Sequence, residues 1–259
     1  MGISRQAYYK QCITQVRRDA HEKRVLSVVM LERMVQPRIG TRKLKYLLSQ
    51  QQLFIGRDRL FSLLASHNML VSRQRAYHKT TNSHHRFRCH PNLIKEGFVP
   101  KKSEQLWVAD ITYLPTVSGN AYLSLVTDAF SRKIVGYHVD DNMKADSVKL
   151  AYANALRERK TNEILVHHSD RGIQYCSNEY QALHTRYRTQ CSMTDGYDCY
   201  QNALAERING ILKNEYLLIK PKDLKEARKM VQQSITIYNQ RRPHTALKYK
   251  TPDEIHQAF

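Results

Sequence analysis

Three carboxylates in this 259-residue sequence lie in local patterns that could bring them to one site. Asp110 lies inside an apolar run that predicts a buried strand, and Asp170 directly follows a second run of this kind. Glu206 lies in a segment of helical spacing, residues 201–213, and 35 residues separate it from Asp170. Two carboxylates on strands and one on a helix can converge to hold divalent metal ions for chemistry on phosphodiesters. We therefore take these three as the candidate catalytic and metal-binding residues.

Polar side chains near the three carboxylates are candidates for holding nucleic acid. Lys213 lies seven residues after Glu206, nearly two helical turns, so both side chains occupy one helix face. An ammonium group there would hold a phosphate beside the metal ions, although a solvated helix lysine is the alternative. Arg207, Asn202 and Arg171 flank the same carboxylates and are further candidates for DNA contact.

Three more polar residues in these segments are assigned supporting roles. His167 and His168 lie in the apolar run that precedes Asp170, which favours a structural role over metal binding. Asp128 closes a predicted strand near the same edge, where it is expected to cap the strand or to support the site indirectly.

The net charge of +19 is concentrated in the first part of the chain. Residues 1–102 hold 21 Lys and Arg against 5 Asp and Glu, a net charge of +16, whereas residues 103–259 hold 21 against 18, a net charge of +3. A strongly basic front half indicates binding to a polyanion, and the nearly neutral remainder fits a catalytic half. A basic but merely solvated surface is the alternative, and nucleic-acid binding explains the uneven distribution better.

The cysteines and the apolar runs indicate a cytoplasmic protein. The five cysteines are scattered without a CxxC pair, which favours reduced thiols. No apolar run approaches the roughly 20 residues that a membrane helix needs, and the first residues have no apolar signal segment. We expect a bacterial, nucleoid-associated protein of the cytoplasm with no membrane partner.

Residues 1–71 are predicted to form a small all-α region. A short helix capped by Ser4 is expected first, followed by a helix over residues 22–35 that buries one face. The apolar positions of that face are Val25, Leu26, Val28, Val29, Leu31 and Met34.

The next two predicted helices read as a helix-turn-helix. Thr41 can cap the first of them, and residues 57–66 give the second, with Phe61 among its inward positions. Arg57 and Arg59 open this second helix, where a recognition helix meets phosphates or base edges. An ordinary helical hairpin is the alternative, and the local positive charge favours DNA contact.

Residues 72–103 are predicted to be a basic linker that follows a DNA backbone. Within it, His84, His85, Cys89 and His90 are potential zinc ligands. No second cysteine pair lies at ligand spacing, so a solvated, DNA-facing histidine cluster is the favoured interpretation.

Residues 104–218 are predicted to form an α/β catalytic core. Three strands over 106–114, 121–128 and 134–139 should form an antiparallel meander. The next predicted elements are helix 145–160, strand 164–168, helix 178–187, strand 189–193 and helix 201–215. This order resembles the ribonuclease-H-like fold, a mixed five-stranded sheet flanked by helices. Residues 219–259 are expected to add a helix over 222–239 and a basic tail.

Several short motifs occur in one order along the chain. They are Gly2-Ile3-Ser4-Arg5-x-x-Tyr8-Tyr9, Gly40-Thr41-Arg42-Lys43, Trp107-Val108-Ala109-Asp110-Ile111-Thr112-Tyr113, His168-Ser169-Asp170-Arg171-Gly172-x-Gln174-Tyr175, Asn202-Ala203-x-Ala205-Glu206 with Leu212-Lys213-x-Glu215, and Tyr238-Asn239-x-x-Arg242-Pro243-His244. Together with the 35-residue gap, this order resembles the second-reading-frame (OrfB-type) product of the insertion-sequence-3 family of transposases, which carries a DDE integrase catalytic core.

The resemblance implies DNA cleavage at the ends of an insertion element and transfer of the freed 3′-hydroxyl to other DNA. The implied cofactor is Mg²⁺, as two ions about 3.5–4 Å apart, for which Mn²⁺ can substitute. Asp110 would bridge both ions, with Asp170 and Glu206 each completing one side. The implied partners are double-stranded DNA (terminal inverted repeats and target), the upstream reading-frame product as a fusion, and further copies of the chain as a homo-multimer on DNA.

Other functions remain open at this point. A ribonuclease-H-like nuclease would cut without joining, and a DNA-binding regulator would carry an inert core. The basic front half and the three carboxylates favour a transposase over both. A tyrosine recombinase would need an Arg…His-x-x-Arg…Tyr order that the sequence lacks, and a glycosidase carboxylate pair does not fit the charge.

Overall fold

A computed structural model describes residues 4–72, 89–95, 97–195 and 202–257 of the chain. The chain divides into two compact units, Met1–Gln74 and Arg75–Phe259. The greater part of the predicted basic linker, with His84 and His85, lies outside the described residues. No helix in the described ranges combines the length and the apolar character needed to cross a membrane.

The first unit consists of three helices, α1 (Arg5–Val35), α2 (Thr41–Gln50) and α3 (Arg57–Ser66). The Ser4 hydroxyl accepts the Ala7 N–H at 3.2 Å and so caps α1, as predicted. The prediction of two separate helices before residue 36 is wrong. Residues 5–35 contain no proline or glycine, so nothing in the backbone interrupts the helix.

The core of the first unit is aliphatic. Its fully buried members come from all three helices and the loop after α1: Val25, Val29, Ile39, Leu44, Leu48, Leu60 and Leu64. Three predicted inward positions are instead exposed, Leu31 at 63%, Met34 at 81% and Phe61 at 38%. The cap of α2 is Gly40, whereas Thr41 is the first helical residue and is buried. Helix α3 has the predicted bounds, whereas α2 begins one residue earlier than a Thr41 cap implies.

The second unit is built on a five-stranded sheet. Its strands are β1 (Leu106–Thr116), β2 (Gly119–Asp128), β3 (Ile134–Asp140), β4 (Val166–Ser169) and β5 (Gln190–Met193). The strand order is β3-β2-β1-β4-β5. The pairs β1–β2 and β2–β3 are antiparallel, and the pairs β1–β4 and β4–β5 are parallel. The predicted mixed sheet with an antiparallel meander is confirmed.

Helices cover both faces of this sheet, as predicted. They are α4 (Ala145–Glu158), α5 (Asn178–Tyr187), α6 (Ala203–Ile211), α7 (Leu224–Arg241) and α8 (Pro252–Gln257). One apolar cluster joins Trp107 of β1 to Tyr152 of α4 and Tyr180 of α5. The other joins Leu123 of β2 to Ile208 of α6 and contains residues of α7. Side chains alternate between the two faces along each strand, which lets one sheet support both clusters.

The predicted helix 201–215 is shorter than expected and changes form. After α6, the residues Leu212–Tyr216 form a π-helical turn, in which hydrogen bonds span five residues instead of the four of an α-helix. This turn holds Lys213 and Glu215, and α7 begins after it with Asp223 as its cap.

Candidate active site

Asp110 lies in the middle of β1, opposite Leu125 of β2, where strand pairing fixes its backbone. Its Oδ1 accepts the backbone N–H of Ile111 at 2.8 Å. Its Oδ2 accepts the side-chain amide of Asn209, on α6, also at 2.8 Å. The carboxylate is therefore fixed in orientation by one bond from its own strand and one from the helix above.

Asp170 is brought level with Asp110 by the parallel pairing of β4 and β1. His168 pairs with Val108, and each aspartate lies two residues further along its strand direction. Asp170 Oδ1 accepts the N–H of Gly172 at 3.0 Å. A Cβ atom at Gly172 would lie 3.0 Å from the same oxygen, so the absence of a side chain there makes room for the carboxylate.

Glu206 lies one helical turn before Asn209 on α6, and residues three apart share a helix face. Because Asn209 contacts Asp110, that face of α6 is directed at β1. The Glu206 side chain itself is exposed to solvent. Glu206 is thus a carboxylate on the solvent side of the site, and the sheet lies on the opposite side.

The three carboxylates act on one another electrostatically. Burial, followed by the negative charge of Asp170, raises the pKa of Asp110 to about 7. The bonds from Asn209 and Ile111 oppose this rise, and the charge of Glu206 adds to it. Burial and the charge of Asp170 also raise the pKa of Glu206. Asp110, Asp170 and Glu206 are therefore close enough to affect one another's protonation, and their joint role as one site stays a prediction.

Lys213 also lies at this site. Its Nζ donates to Thr112 Oγ1 at 3.2 Å, and Thr112 is two residues after Asp110, on the same face of β1. Burial lowers the pKa of Lys213, and the charge of Asp110 acts in the opposite direction. An ammonium group in this place would meet any phosphate that approaches the carboxylates from the Lys213 side.

The other predicted contact residues are dispersed. Asn202 is buried, and its amide donates to the Ala109 carbonyl at 3.0 Å, so it ties the start of α6 to β1 beside Asp110. Arg171 donates to the Thr194 carbonyl. Arg207 is exposed. The pKa of the nearby Arg132 is lowered mainly by burial and also by the positive charge of Arg207.

Arg57 and Arg59 belong to the first unit, and both are exposed. Arg57 Nε lies 2.8 Å from Asp58, and Arg59 Nε lies 2.6 Å from Glu22 of α1. Contact of either residue with DNA stays a prediction.

Two polar residues of the site were missed at the level of sequence, Asn209 and Thr112. Their only local signals are spacings, three residues after Glu206 and two residues after Asp110. Asp128 accepts bonds from the Phe130 and Ser131 N–H groups, the predicted capping role.

His167 and His168 are fully buried and are structural, as expected. His167 Nε2 lies 3.0 Å from the Tyr180 hydroxyl, and His168 Nδ1 lies 2.8 Å from the Ser192 hydroxyl.

The donor set fits a hard divalent cation. Carboxylate oxygens are the ligands that Mg²⁺ prefers, and the mutual repulsion that raises the pKa of Asp110 is what a cation among the three groups would relieve. Asn209 Oδ1 is buried beside them with no hydrogen-bond partner among the described residues, and it is one more oxygen donor. Within the described ranges, no group of three carboxylate, imidazole or thiol side chains is close enough to enclose a metal ion.

The chain is similar to integrase core domains and to proteins of bacterial insertion elements. Two family profiles described as "Integrase core domain" match residues 100–199 and 187–252. The insertion element IS600 uncharacterized 31 kDa protein of Shigella sonnei is 32% identical over 262 residues, covering 100% of this chain and 96% of that protein. The transposase InsF for insertion sequence IS3A of Escherichia coli K12 is 39% identical over 124 residues, covering 48% of this chain and 43% of InsF, so this match spans less than half of either protein.

A solved structure supports the fold. A chain of the simian T-cell lymphotropic virus intasome in complex with PP2A regulatory subunit B56 gamma matches with a TM-score of 0.52 and 17% identity, over 84% of this chain and 70% of that chain. Together with the strand order, this likeness confirms the ribonuclease-H-like arrangement expected from the sequence.

Proposed function

Since this chain belongs to the insertion-sequence-3 family of transposases and contains an integrase core domain, we propose that it cuts DNA at the ends of its element and joins the freed 3′-hydroxyl to other DNA. The family relationship establishes DNA transposition and a polynucleotidyl-transferase type of enzyme in general terms. The two chemical steps, the residues that perform them and the metal ions are our proposal.

The observation that carries the proposal is geometric: the parallel pairing of β4 with β1 places Asp170 level with Asp110, and Asn209, on the Glu206 face of α6, bonds the Asp110 carboxylate. Isolated carboxylates on a protein surface have little effect on one another, because water and salt screen them. A half-buried aspartate whose pKa is raised to about 7 by desolvation and by two like charges is typical of a functional site. Such an aspartate destabilises the folded protein unless a cation binds to it, so a structural role alone does not explain its presence.

Asp110, Asp170 and Glu206 would hold two Mg²⁺ ions, for which Mn²⁺ can substitute. When bound, these ions would stabilise the charge that develops on the attacking and leaving oxygens of the phosphodiester. The protein's own contribution is to fix the ligands. Asn209 and the Ile111 N–H orient the Asp110 carboxylate, and Asn202 holds α6 against β1 at the adjacent Ala109.

Lys213 would bind a DNA phosphate beside the carboxylates. Its half-buried ammonium group lies 3.2 Å from Thr112 Oγ1, so its position is constrained before DNA arrives. A lysine ammonium is a compact point charge that can pair with phosphate without chelating the metal. Arg171 and Arg207 remain weaker candidates for DNA contact, whereas Asn202, which is buried and bonded to the Ala109 carbonyl, has a structural role instead.

We further propose that the helical unit, residues 1–71, supplies most of the DNA affinity together with the basic linker, residues 72–103. These residues hold almost all of the excess positive charge. Neutralising about six phosphates would give a log–log dependence of affinity on salt with a slope near −5. The DNA is expected to be the terminal inverted repeats and the target, bound by a homo-multimer of the chain fused to the upstream reading-frame product.

The test uses three separate variants, Asp110→Asn, Asp170→Asn and Glu206→Gln, with Asp146→Asn as a matched control. Asp146 is an exposed aspartate of α4 that pairs with Lys149, outside the carboxylate cluster. The protein, fused to the upstream product, is incubated with labelled element-end DNA and Mg²⁺. Each of the three variants should lose nicking and joining while still binding DNA, and the control should keep both activities.

The same assay separates the alternatives. Cleaved ends without joined products would identify a nuclease instead of a transposase. DNA binding by the parent protein without any cleavage would identify a regulator with an inert core. Mg²⁺-dependent cleavage that survives in one of the three variants would remove that residue from the site.

Metal binding can be measured without activity. At pH 8 the Asp110 carboxylate is ionised, because its pKa is about 7, and the negative charges of Asp170 and Glu206 repel it. Mg²⁺ or Mn²⁺ should therefore raise the melting temperature of the parent protein. Asp110→Asn should be more stable than the parent in the absence of divalent metal and should respond little to its addition. Equal responses of parent and variant would exclude Asp110 as a ligand.

A further inference from the structure

The helix α7 holds the whole excess of positive charge in the second half of the chain. It contains four basic residues and one acidic residue, a net charge of +3, which equals the net charge of residues 103–259. The helices α4, α5 and α6 each have a net charge of zero, and α8 has a net charge of −2. The positive charge of this half is therefore placed on one helix instead of being spread over its surface.

The solvent-facing side of α7 carries three cations and no carboxylate. At 100° per residue, seven exposed residues lie within an arc of about 140°. We call this set the α7 stripe, and its members are Lys225, Arg228, Lys229, Gln232, Gln233, Thr236 and Gln240. The acidic residue of the helix, Glu226, lies beside the stripe and accepts the backbone N–H of Lys222 at 2.5 Å. The opposite side of α7 is buried in the core through Ala227, Val231 and Ile235.

Two ammonium groups of the stripe can bind an anion from outside the protein. Lys225 and Lys229 are both exposed, and neither has an ion pair or a hydrogen bond with a residue in the described ranges. By contrast, Lys149 of α4 pairs with Asp146 at 2.7 Å. An anion that meets Lys225 or Lys229 therefore displaces no carboxylate of the described ranges.

The α7 stripe belongs to the side of the sheet that carries the catalytic candidates. Along β1, Asp110, Thr112 and Leu114 share one face, because alternate residues of a strand point the same way. Leu114 belongs to the apolar cluster that contains residues of α7. Ala109, on the opposite face, belongs to the cluster that contains residues of α4 and α5. The helix α7 thus covers the same face of the sheet as the Asp110 carboxylate.

The charge and the chemistry of the stripe select a DNA backbone as its occupant. The same stripe on a second copy of the chain would set cations against cations, which is unfavourable. A duplex instead presents a phosphate every 3.4 Å along each strand, and the stripe spans about 23 Å, or roughly seven base pairs. Lysine, glutamine and threonine side chains contact phosphates, and such contacts carry no sequence information. The stripe therefore fits DNA that is bound without regard to its sequence.

We propose that the α7 stripe binds the sugar–phosphate backbone of the target duplex, the DNA that accepts the freed 3′-hydroxyl. This inference rests on the proposed function, because only a joining reaction needs a second DNA besides the element end. The element end has to be recognised by its sequence, whereas a target bound through phosphates can have any sequence. Lys225 and Lys229 pair with phosphates of the target, and the glutamines of the following turns continue the contact along α7.

Removing the charge of the two lysines tests the proposal. The variant carries Lys225→Gln and Lys229→Gln, because glutamine is nearly as good a helix former as lysine. Arg228 is left in place, since its Nε bonds the end of β3 at 2.9 Å. The matched control carries Arg157→Gln and Arg186→Gln, two exposed cations on α4 and α5, the helices of the opposite face of the sheet.

The first measurement needs no chemistry. The protein, fused to the upstream product, is saturated with unlabelled element-end DNA without Mg²⁺, and a fluorescent duplex of unrelated sequence is then titrated. The double variant should bind this target duplex about fivefold more weakly than the parent and the control. Loss of two phosphate contacts should also reduce the slope of log affinity against log salt by about 1.8. Equal target affinity of the double variant and the parent would overturn the proposal.

The second measurement distinguishes the target from the element end. With Mg²⁺, the double variant should nick the end at the parental rate. Its joining should need an about fivefold higher target concentration for half saturation and should reach the parental rate at saturating target. An equal loss of nicking and joining at every target concentration would overturn the assignment to target DNA. If the parent protein forms no joined product, the proposed function fails, whereas the inference stands or falls on the binding measurement.

Light scattering without DNA tests the other possible occupant, a second copy of the chain. The parent, the double variant and the control should have the same mass, and circular dichroism should show equal helix content. A smaller mass for the double variant alone would assign the α7 stripe to contact between copies and would overturn the proposal.

Discussion

Arg242 makes two parallel hydrogen bonds to Glu215, which precedes it by 27 residues in the sequence, and both N···O distances are 2.7 Å. The Arg242 side chain is 6% exposed, and its guanidinium also lies 3.0 Å from His244 Nε2 and 5.8 Å from the centre of the Tyr238 ring. Glu215 belongs to the π-helical turn that carries Lys213. The segment after α7 thus fixes the turn from which Lys213 donates to Thr112, two residues after Asp110.

We expect Arg242→Ala to destabilise the second unit strongly. Removing one partner of a buried ion pair leaves the other charge uncompensated, which costs about 3–5 kcal/mol. Arg242→Lys should recover only part of this, because one ammonium group cannot make both parallel bonds. Urea unfolding measures the loss, with the exposed neighbour Arg241→Ala as control. Equal stability of the Arg242→Ala and Arg241→Ala proteins would contradict a structural role for the pair.

Asn209→Ala should shift the pH dependence of DNA cleavage to higher pH. The bond from Asn209 lowers the pKa of Asp110, which burial and Asp170 raise to about 7, so its removal allows the pKa to rise further. The acid limb of the rate profile should then move upward, with a loss of rate near pH 7 that is largely recovered near pH 9. Rates measured across this range for Asn209→Ala and for the exposed Asn214→Ala decide the matter. A uniform loss at every pH would indicate damage to the fold instead.

Lys213→Ala should weaken binding of element-end DNA and slow joining. We expect a modest cost, about 1–3 kcal/mol, for the loss of one charge-assisted hydrogen bond to phosphate. Metal affinity at the carboxylates should remain nearly unchanged, since the ammonium group is not a ligand. DNA titrations and metal titrations of Lys213→Ala are compared with those of Lys220→Ala, an exposed lysine after the π-helical turn. If DNA affinity and joining rate stay at parental levels, Lys213 has no role in DNA binding beyond its bond to Thr112.

The second unit should lose stability in mild acid because of His184. Burial lowers the pKa of His184 to about 4, below its ordinary value of 6.5, and its Nδ1 lies 2.9 Å from the Thr189 hydroxyl. A lowered pKa means that the folded protein binds fewer protons than the unfolded chain. The stability contributed by neutral His184 is therefore complete above pH 6.5 and is lost as the pH falls toward 4. Denaturant unfolding at a series of pH values should show that the free energy of unfolding falls between pH 6.5 and 4. This fall should be smaller in His184→Gln and unchanged in the exposed His67→Gln. An equal fall in His184→Gln would assign the pH dependence to other groups, such as His167.

Local patterns in the sequence predicted most of the fold. Alternating apolar runs and short turns predict β1 to β3, and helical periodicity predicts α3 and α5 with the bounds that the structure has. The order of Asp110, Asp170 and Glu206 predicts one site, since a strand, its parallel neighbour and the helix after them place side chains in fixed directions. Periodicity and turn chemistry act over a few residues, so they can be read without knowledge of the rest of the chain.

The tertiary structure alone decided the contacts that hold the site. Asn209 meets Asp110 across 99 residues of sequence, Lys213 meets Thr112 across 101, and Arg242 meets Glu215 across 27. Such pairs have no periodic signature, because the intervening chain can close a loop of almost any length at nearly the same entropic cost. The same limit explains the error in α1. Its apolar residues were assigned to one buried face, and only the packing of α2 and α3 shows which of them are covered and which face outward.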